Sequence, residues 1–395
     1  RRGLATLDRR LLGDVSLVVV DDVQGALGRL AASHRAGFRG TLVAITGSSG
    51  KTTTKEMVAA VLAKAGPVLA TAGNQNNHLG VPLTLLRLRP THRFAVVEMG
   101  MSGQGEIAWL ASQARPGIGV ITTIGEAHLE GVGDLQGVAR AKGELFAALP
   151  DDGLAIVPSN VALPWVLTRG LHAPLCLVGT RPGDEVRLLA ARELKGGAAA
   201  TLEVDGQRHR LRLRLTGEHN LFNAALAVAV GHALGVPVAD AVEALSEVTP
   251  PPLRGEVRRL PSGRSVVVDC YNSNPQSMRA AVGAFLRRAP DGILVLGDML
   301  ELGTAAEATH REAGADIARL GGQPTLVAVG RLARFLAEGA VADGLPAARV
   351  HVVADAFEAA DIVAALPPTR AVLLKGSRGM RLERVFDALT AGREG

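Results

Sequence analysis

The sequence predicts an α/β protein of two successive units, each a mostly parallel sheet covered by helices. Three observations carry that expectation. Short, fully apolar runs alternate with helical segments from residue 40 onward, the pattern of buried parallel strands joined by crossover helices. One of these runs, in TLVAITGSSGKTTT at residues 41–54, passes into a helix through a glycine turn. Thr249-Pro250-Pro251-Pro252 then interrupts the series. Three prolines continue neither a helix nor a central strand, and a second alternation begins beyond them.

Taken in order, residues 1–38 contain one strand at 17–20, then Asp21-Asp22 as a strand-end turn and helix cap, then a helix at 23–35. This piece is too small to bury a core by itself, and we expect it to be the tail of a preceding domain. The sequence opens at Arg1 without a methionine or a signal peptide, so the natural N-terminus is expected to lie upstream. The central unit, 39–249, has strands at 41–46, 68–71, 94–98, 117–123, 153–157 and 174–179, with a helix at 53–65. Residues 186–216 break the rhythm, and the alternating Arg210–Leu215 run after Asp205-Gly206 reads as a β-hairpin excursion. Helices follow at 218–234 and 238–248. Asn223–Val238, the longest apolar stretch, contains His232 and Pro237 and reads as a buried helix, not a membrane span. The last unit, 250–395, places strands at 265–269, 292–297, 325–329, 349–353 and 370–374, with helices at 275–288, 304–318 and 380–389. It is Rossmann-like, but no G-x-G-x-x-G follows its first strand, so dinucleotide binding is not expected.

Composition narrows the function classes. With 47% hydrophobic and 21% charged residues, the 395-residue chain is that of a soluble globular protein. Cys176 and Cys270 make neither a disulfide framework nor a metal quartet, which suits a reducing cytoplasm. The net charge of +5 is spread over scattered arginines, and only 3% of residues are aromatic. Stacking platforms for bases are hard to build from so few rings, so we expect anionic small substrates and no nucleic acid. A monomer is expected. Only six of the 43 basic residues are lysine: 51, 55, 64, 142, 195 and 375. In so arginine-rich a chain, a retained lysine hints at a need for amine chemistry.

The chemistry concentrates at strand ends. Gly47, Ser48, Ser49 and Gly50 form a turn whose backbone N–H groups can wrap a phosphate, with Thr53 opening the helix. Lys51 supplies a charge to the β/γ-phosphates and the Thr52 hydroxyl can ligate Mg²⁺. The spacing is a compressed G-x-x-G-K-T, since Ile45 stands where the common phosphate-loop (P-loop) pattern has its first glycine. Glu98 ends a neighbouring strand, where an acid can hold Mg²⁺ facing the loop. His128 lies just past the end of strand 117–123, where α/β sheets place ligands, although a loop histidine is commonly structural. Lys142 sits on the next helix, where a surface lysine is the plain reading. Asn74, Asn76 and Asn77 lie in a turn-prone stretch that serves either as turn chemistry or to bind sugar and phosphate oxygens.

The set TGSSGKTT, GNQNNHLGVPLTLLRL, VVEMGMSGQGEI, GEAHLEGVG, ARAKGELF, GEHNLFNAALA, DCYNSNPQSM, VLGDMLELG and LLKGSRGM resembles the Mur ligase superfamily over residues 40–395. The asparagine-rich stretch, DCYNSNP and LGDMLELG point to its branch that handles D-alanyl-D-alanine. The resemblance implies a P-loop ATPase-type central domain, a Rossmann-like C-terminal domain and only a remnant of an N-terminal UDP-sugar-binding domain. It implies an ATP- and Mg²⁺-dependent amide ligase of bacterial cell-wall synthesis. A UDP-N-acetylmuramoyl-tripeptide is activated as an acyl phosphate and captured by the amine of D-Ala-D-Ala. Lys51, Lys142 and His128 then match catalytic positions. Thr52, Glu98, His128 and a carbamylated Lys142 match metal-holding ones. Asn220, Asn223 and Asp269 match nucleotide contacts; Tyr271, Asn272, Asn274, Lys375, Ser377 and Arg378 match segments that meet nucleotide or dipeptide or close over the site. Sibling ligases using another amine, among them folylpolyglutamate synthases, and a nucleotide-binding remnant without catalysis remain as alternatives.

Overall fold

The structure, a computed structural model, describes residues 17–194 and 196–393. Residues before Leu17, and Lys195, lie outside the described residues. Helix α1 (Val23–Ala36) opens at Asp22, whose carboxylate accepts from the Gly25 N–H at 3.0 Å, as an N-cap does. The strand expected at 17–20 does not form. Val18 and Val19 are 84% and 61% exposed, because no ladder takes up their backbone groups.

The first sheet is built from β1 (Thr41–Thr46), α2 (Lys51–Ala63), β2 (Val68–Ala70), α3 (Gly80–Leu85), β3 (Phe94–Glu98), α4 (Glu106–Ala114) and β4 (Ile118–Ile121). The chain continues through α5 (Leu129–Val132), α6 (Leu135–Ala147), β5 (Leu154–Pro158), α7 (Pro164–Leu167), β6 (Leu175–Gly179), β7 (Val186–Leu194), β8 (Gly197–Val204) and β9 (Gln207–Leu213). Helices α8 (Glu218–Ala233) and α9 (Val238–Glu247) close the unit. Strand order is β2-β3-β1-β4-β5-β6-β7-β8-β9. All neighbours are parallel as far as β7, and the last two pairs are antiparallel.

The hairpin expected around Asp205-Gly206 is present as β8–β9, with both turn residues at positive φ (50° and 73°). It is not an excursion, however. With β7 it extends the same sheet, and Leu211 and Leu213 go into the core while Arg210, Arg212 and Arg214 face water. Helix α8 lies over that sheet with Leu221 and Ala224–Val230 buried, so the longest apolar stretch is core. Among the described residues no helix is long and apolar enough to cross a membrane.

The second sheet takes β10 (Glu256–Arg259), β11 (Ser265–Asp269), α10 (Pro275–Leu286), β12 (Ile293–Gly297), α11 (Ala306–Arg319), β13 (Thr325–Val329), α12 (Ala333–Ala342), β14 (Val350–Val353), α13 (Ala356–Ala365), β15 (Val372–Lys375) and α14 (Glu383–Ala388). Its order is β10-β11-β15-β12-β13-β14, parallel except for β10. Strand β10 and helices α12 and α13 were not expected from the sequence. β10 is half-exposed and lacks an apolar run, and the two helices are alanine-rich with few periodic large residues.

Register decides where the site falls. Ile45 pairs with Glu98 and Thr46 with Ile121, so the glycine turn, Glu98 and Thr122 emerge along one sheet edge. In the second sheet Asp269 pairs with Lys375, and Leu296 pairs with the same lysine. The carboxyl-end loops of both sheets line one cavity of about 810 Å³, as ligand crevices of α/β sheets do.

Candidate active site

Strand β1 is an interior strand, buried from Leu42 to Thr46. Beyond it the chain must turn at once into α2, and Gly50 does this at φ 83° in the left-handed region. The helix therefore starts at Lys51, two residues earlier than expected, and both Lys51 and Thr52 lie in its first turn. Its free N–H groups and positive dipole end point into the cavity, a ready anion site. Asn223 packs on the same turn: a Cβ at Gly50 would come within 2.7 Å of its Oδ1.

The Thr52 hydroxyl donates to Glu98 Oε2 at 2.8 Å, and Asn76 Nδ2 donates to Glu98 Oε1 at 2.7 Å. Glu98 is 1% exposed. Its backbone N–H is held by Thr71 Oγ1 at 3.0 Å, and the Thr71 carbonyl accepts from buried Lys55 Nζ at 2.7 Å. A buried carboxylate needs a cation or full hydrogen bonding. Here it meets a hydroxyl, an amide and the field of Lys51. Lys51 Nζ donates to the Gly47 carbonyl at 2.7 Å. Burial lowers its pKa, while Glu98 opposes that shift.

Lys142, on α6, is 1% exposed and carries no recorded hydrogen bond or ion pair among the described residues. Burial, followed by repulsion from Lys51, holds its pKa well below the ordinary lysine value. The neutral amine is thus favoured. His128 Nδ1 approaches Glu301 Oε2 to 2.6 Å, out of hydrogen-bond alignment and with no other partner. Among the described residues no three His, Cys, Asp or Glu side chains cluster as a ready metal cage. Thr52 with Glu98 nevertheless matches what Mg²⁺ asks for, one or two protein oxygens beside substrate phosphates.

Residues of the second sheet complete the cavity. Asn274 caps α10, with Oδ1 accepting from the Ser277 N–H at 2.8 Å, while its Nδ2 donates to the Ser48 carbonyl at 3.3 Å. Lys375 Nζ, 2% exposed, bonds Asp269 at 2.9 Å and the Asn272 carbonyl at 3.3 Å. The Arg254 guanidinium lies 3.9 Å over the Tyr271 ring. Ser377 Oγ accepts from the Leu300 N–H at 3.0 Å.

The structure thus brings most sequence-expected residues to one cavity: Ser48, Ser49, Gly50, Lys51, Thr53, Glu98, His128, Asn74, Asn76, Asn77, Asn220, Asn223, Asp269, Tyr271, Asn272, Asn274, Lys375, Ser377 and Arg378 line it, whereas Gly47, Thr52 and Lys142 are not among its lining residues. Some are already engaged. Asn77 Oδ1 accepts from the Leu79 and Gly80 N–H groups at 3.1 and 2.9 Å, which is turn chemistry. Asn220 donates to the Thr216 carbonyl at 2.7 Å, and Arg378 pairs with Glu383 at 2.5 Å. The lining residues without a sequence-based role include Arg254, His219 and Glu301. Glu301 lies within LGDMLELG and meets His128 only where the two sheets come together, whereas His219, within GEHN, pairs with its neighbour Asn220 and also feels Asp269 and Lys375 of the second sheet.

Two family descriptions match this chain: the Mur ligase middle domain over residues 45–231 and the Mur ligase glutamate ligase domain over 253–378. The UDP-N-acetylmuramoyl-tripeptide–D-alanyl-D-alanine ligase of Escherichia coli K12 is 35% identical, over 98% of this chain and 85% of its own length. A crystal structure of MurF from Acinetobacter baumannii superposes with a TM-score of 0.87 at 34% identity, covering 95% of this chain and 82% of that one. MurF ligase from Thermotoga maritima, solved in complex with ADP, gives a TM-score of 0.82 at 27% identity over 95% and 86% of the two chains.

Proposed function

This chain belongs to the Mur ligases, in the branch of UDP-N-acetylmuramoyl-tripeptide–D-alanyl-D-alanine ligases, and we propose that its inter-sheet cavity divides that ATP-dependent ligation among the residues in and around it. The reaction joins D-Ala-D-Ala to the tripeptide in peptidoglycan precursor synthesis. In its first half, a tripeptide carboxylate oxygen bonds to the γ-phosphorus of ATP as the bridging P–O bond breaks and ADP leaves. In the second, the dipeptide amine adds to the acyl carbon, and phosphate departs from the tetrahedral intermediate as the nitrogen loses its proton.

The first-sheet residues act on the phosphates. Lys51 exchanges the Gly47 carbonyl for phosphate oxygens, and the N–H groups at the start of α2 meet the charge that develops there. Thr52 and Glu98 would hold Mg²⁺, with Asn76 fixing the second carboxylate oxygen. Bound there, the ion supplies charge neutralisation across the phosphates. Lys142 is suited to carbamylation because only a neutral amine adds to CO₂. Its nitrogen lone pair bonds to carbon, a proton is released, and the amine becomes an anion. That carbamate with His128 would hold a second ion. Asn220 and Asn223 take the nucleotide side, while Tyr271, Asn272 and Lys375 face the incoming dipeptide. All of these groups come from one chain, which supports a monomer, and nucleotide-linked substrates support a site of action in the bacterial cytoplasm.

The observation that carries this reading is Lys142: a lysine buried within the field of Lys51, with no ion pair among the described residues, in a chain where only six of 43 basic residues are lysine. The test is phosphate release from ATP with UDP-N-acetylmuramoyl-tripeptide present. D-Ala-D-Ala should stimulate release, and single amino acids or glutamate should not. Equal stimulation by a single amino acid would overturn the assignment.

A further inference from the structure

Seven non-glycine residues among those described have a left-handed backbone, and two of them, His128 (φ 56°) and Glu301 (φ 65°), face each other across the cavity between the sheets. Such backbone is uncommon for side chains of this size and persists only where the surroundings impose it. On the Glu301 side they do. The Met299 N–H donates to His310 Nε2 at 2.9 Å, and Leu300 N–H is held by Ser377. The carboxylate of Asp298 accepts from the Leu332 and Ala333 N–H groups at 2.9 and 2.7 Å. His310 is wholly buried, and its Nδ1 meets the Ala306 carbonyl at 2.6 Å. Accepting at Nε2 requires donating at Nδ1, so both ring nitrogens hold the loop. The loop from Asp298 to Gly303 is therefore a braced platform, and Glu301 is the side chain it carries toward the first sheet.

On the other side, His128 Nδ1 is buried, and among the described residues it pairs only with Glu301 Oε2, at 2.6 Å. The Glu130 N–H also approaches the Glu301 carbonyl, at 3.5 Å. We propose that Glu301, whose half-exposed carboxylate needs only to turn into line with the ring, is a positioning residue that fixes the imidazole of His128, holding the proton on Nδ1 so that the Nε2 lone pair is left for a divalent cation. Histidine ligands of metals are commonly oriented this way by a carboxylate on the other nitrogen. Here the carboxylate comes from the second sheet and the imidazole from the first. The ring is thus set only when the two units meet, which ties assembly of the phosphoryl-transfer site to their closure. The metal half of this inference rests on His128 being a ligand, as proposed above; the ring-orienting half does not.

Two measurements on the full chain separate them. In metal-free protein labelled with ¹⁵N-histidine, the His128 ring should show the Nδ1–H tautomer. Glu301→Gly, which suits the left-handed backbone, should turn it into a tautomer mixture, and Glu301→Gln should give an intermediate pattern. Unchanged ring signals in Glu301→Gly would overturn the proposal. In the second, Mn²⁺ is titrated in the presence of ADP and followed by electron paramagnetic resonance. Both Glu301→Gly and His128→Asn should weaken one ion by about 10–100-fold. A loss in His128→Asn alone would remove Glu301 from the metal site. No loss in His128→Asn would sink the ligand reading of His128, while the ring tautomer would still decide whether Glu301 orients it.

Discussion

Asn274 Nδ2 donates to the carbonyl of Ser48 at 3.3 Å, while its Oδ1 caps α10 through the Ser277 N–H at 2.8 Å. One side chain thus starts a helix of the second sheet and touches the phosphate loop of the first. The two duties use different atoms, so they can be separated.

Asn274→Asp keeps the capping oxygen and loses the donor, placing a carboxylate beside the anion site. Thermal stability should change little, and KM for ATP should rise about tenfold. Asn274→Ala should cost about 1 kcal/mol of stability as well, the usual worth of a cap. Calorimetry alongside initial rates checks both. Equal destabilisation by the two substitutions would mean that the contact with Ser48 matters more to folding than the cap does.

Lys142 makes a pH-dependent contribution. Its pKa is lowered well below 10.5, chiefly by burial and then by Lys51. Between the folded and unfolded values the unfolded chain binds the extra proton, so stability rises with pH through that window. Without CO₂, Lys142→Met should be the more stable protein at pH 7, with the advantage fading as pH approaches about 10.5. Activity should fall in the variant by more than 100-fold, and small carboxylates should restore part of it. Urea titrations across pH, with parallel curves for the two proteins, would remove the buried-amine argument.

Gly50 and Asn223 are coupled sterically. Any side chain at 50 strains a backbone at φ 83° and brings a Cβ within 2.7 Å of Asn223 Oδ1. Gly50→Ala should destabilise by about 1–3 kcal/mol and weaken ADP binding. Adding Asn223→Ala should return the steric part and leave the backbone part. The check is a double-mutant cycle on stability, with an expected coupling of at least about 0.5 kcal/mol. Strict additivity would show that the two residues do not press on each other.

The residues of the phosphate loop and its acid were legible early because their roles follow from local order. A strand end, a glycine turn and a helix start are consecutive in the chain, so TGSSGKTT shows its geometry before any packing is known. Glu98 was legible as the terminus of a fully apolar strand. Glu301, Arg254 and His219 were not. Each is an ordinary polar residue in its own segment, and what surrounds it in the cavity (His128 for Glu301, the Tyr271 ring for Arg254, Asp269 and Lys375 for His219) is distant in the chain. The strand at 17–20 failed for the converse reason: its composition is that of a strand, but strand character without a neighbouring edge leaves backbone groups unpaired.

By itself the sequence determined the two α/β units, the triphosphate loop and the family, since each depends on residues adjacent in the chain or on patterns repeated along it. The tertiary structure alone decided that Glu98 is held by both Thr52 and Asn76, that Lys142 is buried without an ion pair among the described residues, and that Glu301 faces His128. Those relationships join residues tens to hundreds of positions apart. Strand register and the meeting of two sheet edges bring them together, and neither leaves a mark on the local order of residues.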